Sequence, residues 1–174
     1  MALEALAPGD TVSLEGRHPM KLEGSCHCKS VRFTVQASSP YPFMRCYCSI
    51  CRKTAGGGGY AINLGADRRT LTVQGSEHLS VYRARLDDGS TSSGERNFCR
   101  RCGSALWLYD PAWPELVHPQ ASAIDTPLPV PPQRVHIMLG SKAPWVEPEV
   151  RPGDLCHDAY PDESLAQWHA RHGL

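Results

Sequence analysis

Residues 45–53 read RCYCSICRK and place three cysteines, Cys46, Cys48 and Cys51, within six positions. Two further pairs flank this stretch: Cys26 and Cys28 in GSCHC, and Cys99 and Cys102 in FCRRCGS. Seven of the eight cysteines therefore fall into three tight groups. Burial alone does not produce such grouping, because a hydrophobic core draws its small residues from scattered positions. Metal binding does, since thiolates must converge to about 2.3 Å from one zinc ion. Ligands close in sequence also lose less chain entropy on capture than ligands gathered singly.

The spacings separate two kinds of site. Cys99-x-x-Cys102 followed by Gly103 has the form of a zinc knuckle, and Cys26-x-Cys28 offers a second pair. Together they make a tetrahedral four-cysteine site, which is closed to substrate and hence structural. Cys46-x-Cys48-x-x-Cys51 supplies three sulfurs from a single loop and leaves a fourth position open, the arrangement of a catalytic zinc. Zinc with three thiolates carries a net charge of about −1. Arg45, Arg52 and Lys53 stand where they can offset that charge and draw in a carboxylate-bearing thiol. A fourth protein ligand would close this centre, and Cys156 and the eight histidines are the donors at hand. Cys156 in GDLCHDAY reads as an ordinary thiol. His27 reads as a solvated or hydrogen-bonded side chain, because neighbours on a strand point to opposite faces.

The length of 174 residues fits one domain with a real core. It divides into an N-terminal extension, residues 1–19, and a main body, residues 20–174. Eighteen basic and eighteen acidic residues leave no net charge. That excludes the electrostatic footprint of nucleic-acid binding and a polybasic membrane patch. MALEALAPGD lacks the basic region of a secretion signal, and no run approaches the roughly 20 apolar residues of a membrane span. A cytoplasmic, reducing compartment is the expectation, and there clustered cysteines read as metal ligands before disulfides.

Short strands dominate the remainder. VRFTV, residues 31–35, alternates with Val31, Phe33 and Val35 on one face. Residues 60–64, 71–73, 79–82, 104–109 and 135–139 read as further strands, and residues 11–14 as a short one after the Pro8-Gly9-Asp10 turn. Four glycines at 56–59 lower local order and allow close backbone approach, without the trailing Lys-Ser/Thr of a phosphate loop. PLPVPP, residues 127–132, is an extended surface excursion. Residues 162–170 read as the one helix, capped by Asp162, with Leu165 and Trp168 on one face and Gly173 as its stop. The balance predicts a mainly antiparallel β domain. Trp107 and Trp145 read as core residues, and Trp145 also as a candidate wall of a substrate pocket.

GSCHCKSVRFTV, RCYCSICRK, NFCRRCGSALW and GSKAPW, in this order and approximate spacing, resemble the glutathione-dependent formaldehyde-activating enzyme/CENP-V family over roughly residues 20–146. The resemblance implies a β-tent fold of two small antiparallel sheets tied by a structural zinc at Cys26, Cys28, Cys99 and Cys102. It implies a second zinc at Cys46, Cys48 and Cys51, near the glutathione site, making two zincs per chain. The implied activity is that of a carbon–sulfur lyase that reversibly joins formaldehyde and glutathione. In that reading Cys46, Cys48 and Cys51 are catalytic, with Arg52, Lys53 and Trp145 as substrate contacts. The rival reading is a non-catalytic zinc-binding module for protein interaction, since small cysteine-knuckle β domains also serve that purpose.

Overall fold

The computed structural model describes residues 19–39 and 41–173. The turn and strand expected within residues 8–14 lie outside the described residues, as does nearly all of the N-terminal extension. In chain order come β1 (Met20–Ser25), β2 (Arg32–Ala37), β3 (Phe43–Cys46), α1 (Ser49–Ala55), β4 (Ala61–Asn63), β5 (Ala66–Asp67) and β6 (Thr72–Gln74). There follow β7 (Leu79–Arg85), β8 (Thr91–Cys99), β9 (Ala105–Tyr109), β10 (Leu116–Pro119), β11 (Arg134–Ile137), β12 (Leu155–Cys156) and α2 (Leu165–Arg171).

The fold is mainly β with a short C-terminal helix, in line with the sequence reading. The strands form three sheets where two were expected: β1-β2-β6, β5-β10-β9-β8-β7 and β12-β11-β3-β4. The first two are antiparallel throughout. In the third, β11 runs parallel to both β3 and β12, and only β3–β4 is antiparallel. Neighbouring strands joined by a tight turn must pair antiparallel, but β11 returns only after the chain has crossed the five-stranded sheet, so a parallel entry is open to it.

Alternation explains the main core. Val31, Phe33 and Val35 are buried together with Leu22, Leu64, Leu106 and Val117. The Phe33 ring meets Trp107 edge-on with centroids 5.2 Å apart, and each such side chain contributes roughly 1.5–3 kcal/mol by leaving water. Gly24 makes that packing possible, because a Cβ there would overlap the Phe33 ring. Trp107 is buried as read, whereas Trp145 is 64% exposed and not a core residue. Ala143 and Val146 turn inward against Tyr47, and Trp145, between them in sequence, faces out.

The closing helix, Leu165–Arg171, is capped by Ser164 instead of Asp162. Gln167 N donates to Ser164 Oγ at 3.2 Å while Ser164 N donates to Gln167 Oε1 at 2.7 Å, a reciprocal capping box. Trp168 packs the helix down and Gly173, at φ +69°, ends it. No helix among the described residues is long and apolar enough to cross a membrane.

Candidate metal centres

Cys26 and Cys28 follow β1, and Cys99 ends β8 with Cys102 in the turn to β9. Their four sulfurs lie within 4.8 Å of one another. Cys28 Sγ is 3.5 Å from Cys26 Sγ and 3.8 Å from Cys99 Sγ. A tetrahedron with metal–sulfur bonds of about 2.3 Å has edges of roughly 3.8 Å, so the set fits a four-coordinate ion. Each pair sits in a tight turn. Val31 N donates to Cys26 Sγ at 3.2 Å and Lys29 N to Cys26 O at 2.9 Å. Gly103, at φ +76°, donates to Cys99 O at 2.8 Å, a left-handed step that glycine takes without steric cost. His27 N donates to Ser104 Oγ at 3.0 Å and so bridges the two turns. The cluster thereby links the three-stranded sheet to the five-stranded one.

Cys46, Cys48 and Cys51 also bring their sulfurs within 4.8 Å of one another. The expected single loop is partly helical. Cys46 is the last residue of β3, Cys48 caps α1, and Cys51 lies in its first turn. Cys51 N donates to Cys48 Sγ at 3.3 Å, so the cap is itself a ligand. Cys46 and Cys51 are buried and Cys48 half-buried. Among the described residues no histidine, carboxylate or further cysteine joins the three sulfurs. Cys156 is an exposed free thiol on β12.

The protonation of both clusters shows what such crowding requires. Burial pushes the Cys26 thiol up to about 11, while hydrogen bonding with Ser104 draws Cys102 down to about 5. In the three-sulfur cluster, Cys46 and then Cys51 hold Cys48 down at about 2, and Cys46 is forced far up by Cys48 and then Cys51. Thiols this close cannot all ionise against one another. A bound cation lets every sulfur be a thiolate, which is the chemistry of these donor sets.

Beneath the three-sulfur cluster, β3 and β11 are pinned by a buried polar network. Tyr47, between two of the cysteines, bonds through its hydroxyl to His136 Nδ1 at 2.9 Å. His136 Nε2 stands 3.5 Å from Asp154 Oδ2, and Arg134 Nε donates to that oxygen at 3.0 Å. The side chains of Arg134, His136 and Asp154 are 4%, 0% and 1% exposed. Burial, the largest influence on it, lowers the His136 pKa.

A cavity of about 290 Å³ adjoins Cys51, with Arg96, Phe98, Trp107, Asn63 and Gln120 in its walls. Arg45, Arg52, Lys53 and Trp145 do not line it. The Arg45 guanidinium lies 4.8 Å over the Tyr60 ring and 3.7 Å from Glu149. Arg52 is half-buried on α1, Lys53 is exposed, and Trp145 packs beside Gly59. Arg96 and Tyr160 are the residues near the cluster that sequence reasoning missed. Arg96 favours ionised Cys51, and the three thiols, after burial, raise the Tyr160 phenol. Neither belongs to a cysteine motif; only the proximity of Arg96 to Cys99 on one strand hinted at its region.

Residues 21–141, which hold both clusters, match the family described as glutathione-dependent formaldehyde-activating enzyme. The chain belongs to that family. A Halomonas elongata protein bearing the same enzyme name, provisionally, is 67% identical over 155 residues, or 89% of this chain and 98% of its own. A solved structure of a Rhodobacter sphaeroides protein aligns at 28% identity and a TM-score of 0.49, over 62% of this chain and 91% of that one. Trp145, Asp154 and α2 lie beyond the stretch that matches the family.

Proposed function

We propose that the chain is a zinc-dependent enzyme of the carbon–sulfur lyase type, joining a small thiol, glutathione first among candidates, to formaldehyde or a similar carbonyl and reversing that addition. The observation that carries this reading is the three-sulfur cluster. Its donors converge from β3 and α1, no fourth donor joins them among the described residues, and a cavity lies beside Cys51. A protein-interaction module needs no such cavity. Zinc is the ion such soft, tetrahedral sulfur sets take, with the four-sulfur cluster structural and the three-sulfur cluster catalytic. The clustered thiols suit a reducing, cytoplasmic setting.

In the forward direction the thiol loses its proton, its sulfur forms the C–S bond, and the carbonyl π pair becomes an oxygen lone pair that takes up a proton. The product is a hydroxymethyl thioether, and no electrons enter or leave. Cys46, Cys48 and Cys51 would hold the zinc, which would supply Lewis acidity favouring the thiolate form of the substrate sulfur near neutral pH. Cys48, at the cap of α1, is further favoured as a thiolate by the Cys51 N–H. Arg52 and Lys53, beside Cys51 on α1, offset the negative charge gathered there.

The test is the rate of S-hydroxymethylglutathione formation from formaldehyde and glutathione, followed by NMR against the uncatalysed rate. The zinc-loaded wild type is expected to accelerate it, and Cys48→Ser to lose about 100-fold or more of that acceleration. Equal rates for wild type and Cys48→Ser would remove the open centre from the chemistry.

A further inference from the structure

The cavity beside Cys51 is far larger than formaldehyde needs. A one-carbon carbonyl is scarcely bigger than a water, whose share of the liquid is about 30 Å³, whereas the cavity holds about 290 Å³. An engineered apolar cavity of about 150 Å³ in an unrelated protein takes up benzene, so this one has room for a ring or a chain of several carbons. Its walls decide what kind of body that is. Tyr82, Phe98, Ala105, Trp107 and Leu108 contribute ring and alkyl surface, and the accessible part of the lining is mostly carbon.

The polar side chains of the wall spend hydrogen-bonding groups on the protein itself. Thr54 Oγ1 donates to Ile50 O at 2.8 Å, back into its own helix. Gln120, only 6% exposed, donates from Nε2 to Asn63 Oδ1 at 2.8 Å, and its own amide oxygen is buried. Asn97 Nδ2 donates to Glu95 O at 3.1 Å, and Arg96 Nη1 to Gly94 O at 3.3 Å. The lining thus offers apolar contact and few polar partners. The body of glutathione, with its carboxylates, ammonium and amides, would lose water there without regaining its hydrogen bonds, and Arg96 answers only one of those charges. A hydrocarbon body loses nothing. Of the two reactants in the thiol addition, the lining suits the carbonyl.

We propose that this cavity seats the apolar body of a medium-chain or aryl aldehyde, with the carbonyl carbon turned toward the Cys46–Cys48–Cys51 centre. The inference rests on the thiol-addition reading above and names its carbonyl substrate. The C–S bond forms at that carbon, and the carbonyl π pair becomes the oxygen lone pair that takes up the proton the thiol has lost. The product is a hemithioacetal that keeps the alkyl or aryl group, and nothing is oxidised or reduced. Formaldehyde reacts by the same step but leaves the cavity unused. Each methylene that enters should tighten binding about fourfold.

Titration of the zinc-loaded full chain with the unreactive analogues 1-propanol, 1-pentanol and 1-heptanol, followed by ligand-observed NMR, tests this without turnover. The wild type is expected to bind them more tightly by about fourfold per methylene, with the same trend in kcat/KM for propanal, pentanal and heptanal in the presence of glutathione. Ala105→Phe, which fills the cavity from β9, should flatten the alcohol series to within about twofold overall. Ala105→Val, a smaller change that serves should the phenylalanine variant not fold, should weaken heptanol about fourfold more than propanol. Saturating glutathione should leave heptanol bound, because the two occupy different places. A flat alcohol series in the wild type, a series that neither variant alters, or displacement of heptanol by glutathione overturns the cavity assignment. If the chain still speeds addition of glutathione to formaldehyde, the thiol chemistry stands regardless. Alcohol binding with no acceleration for any aldehyde sinks the thiol-addition reading, and the aldehyde assignment with it.

Discussion

The two cysteine clusters use the same ligand in opposite ways. The four-sulfur cluster gathers Cys26 and Cys28 from beside β1 and Cys99 and Cys102 from the end of β8, so it ties two sheets across a long stretch of chain. The three-sulfur cluster takes all its donors from residues 46–51, within one strand end and one helical turn. Closing a long loop removes far more freedom from the unfolded chain than closing a short one. A metal bound in the first cluster would therefore hold the fold together, whereas one in the second would add little to stability. The sheet that carries the second cluster is held by other means, the buried Arg134–Asp154–His136 network between β11 and the segment before β12. Without a structural duty, a metal in the three-sulfur centre could, on the reading proposed above, keep a coordination position for substrate.

The largest effect should come from Cys99→Ser. Losing one buried ligand of the closed centre is expected to cost about 5 kcal/mol, or roughly 10–20 °C in the calorimetric midpoint. A drop below about 3 °C would erase the distinction between the clusters. Asp154→Asn should come next, at about 3 kcal/mol by urea unfolding at pH 7, because it takes from buried Arg134 its one buried carboxylate partner and leaves only the exposed Glu149. Burial alone would raise Asp154, but hydrogen bonds from Arg151 and Arg134 and the Arg134 charge outweigh it and hold the carboxyl at about 2. A depressed carboxyl contributes stability above its unfolded pKa, near 3.8, and loses it as pH falls toward 2. The gap between wild type and Asp154→Asn should accordingly hold from pH 7 to about 4 and shrink below. Cys48→Ser should move the midpoint by less than about 3 °C while zinc content falls from two to one per chain by elemental analysis. Smallest of all, Lys53→Met should weaken glutathione less than about threefold, an effect that vanishes in high salt because the ammonium is exposed.

Much of this contrast was legible in residue spacing. Pairs separated by one or two residues declare knuckles, and the structure brings all four of those sulfurs together. The Val31, Phe33 and Val35 alternation marked the core face of β2 and of the residue just before it. The third sheet was not legible, because β11 pairs with β3 over a long range and in parallel, and local patterns carry no record of such partners. Helix α1 hid inside the metal motif, since Cys48 as a cap is an unusual signal in place of serine or aspartate. Trp145 misled because a tryptophan looks like core, yet its two smaller neighbours fill the interior. Gln120, Arg96 and Tyr160 escaped notice for a common reason: only tertiary packing carries them to the three-sulfur centre, from segments with no chemical signature of their own.

Zinc-edge X-ray absorption of the fully loaded chain, with and without glutathione, measures the difference between the clusters most directly. One closed and one open centre give an average of about 3.5 sulfurs per zinc, rising to about 4 when a substrate thiolate occupies the free position. An average already at 4 without thiol, or one that glutathione leaves unchanged, would contradict the account.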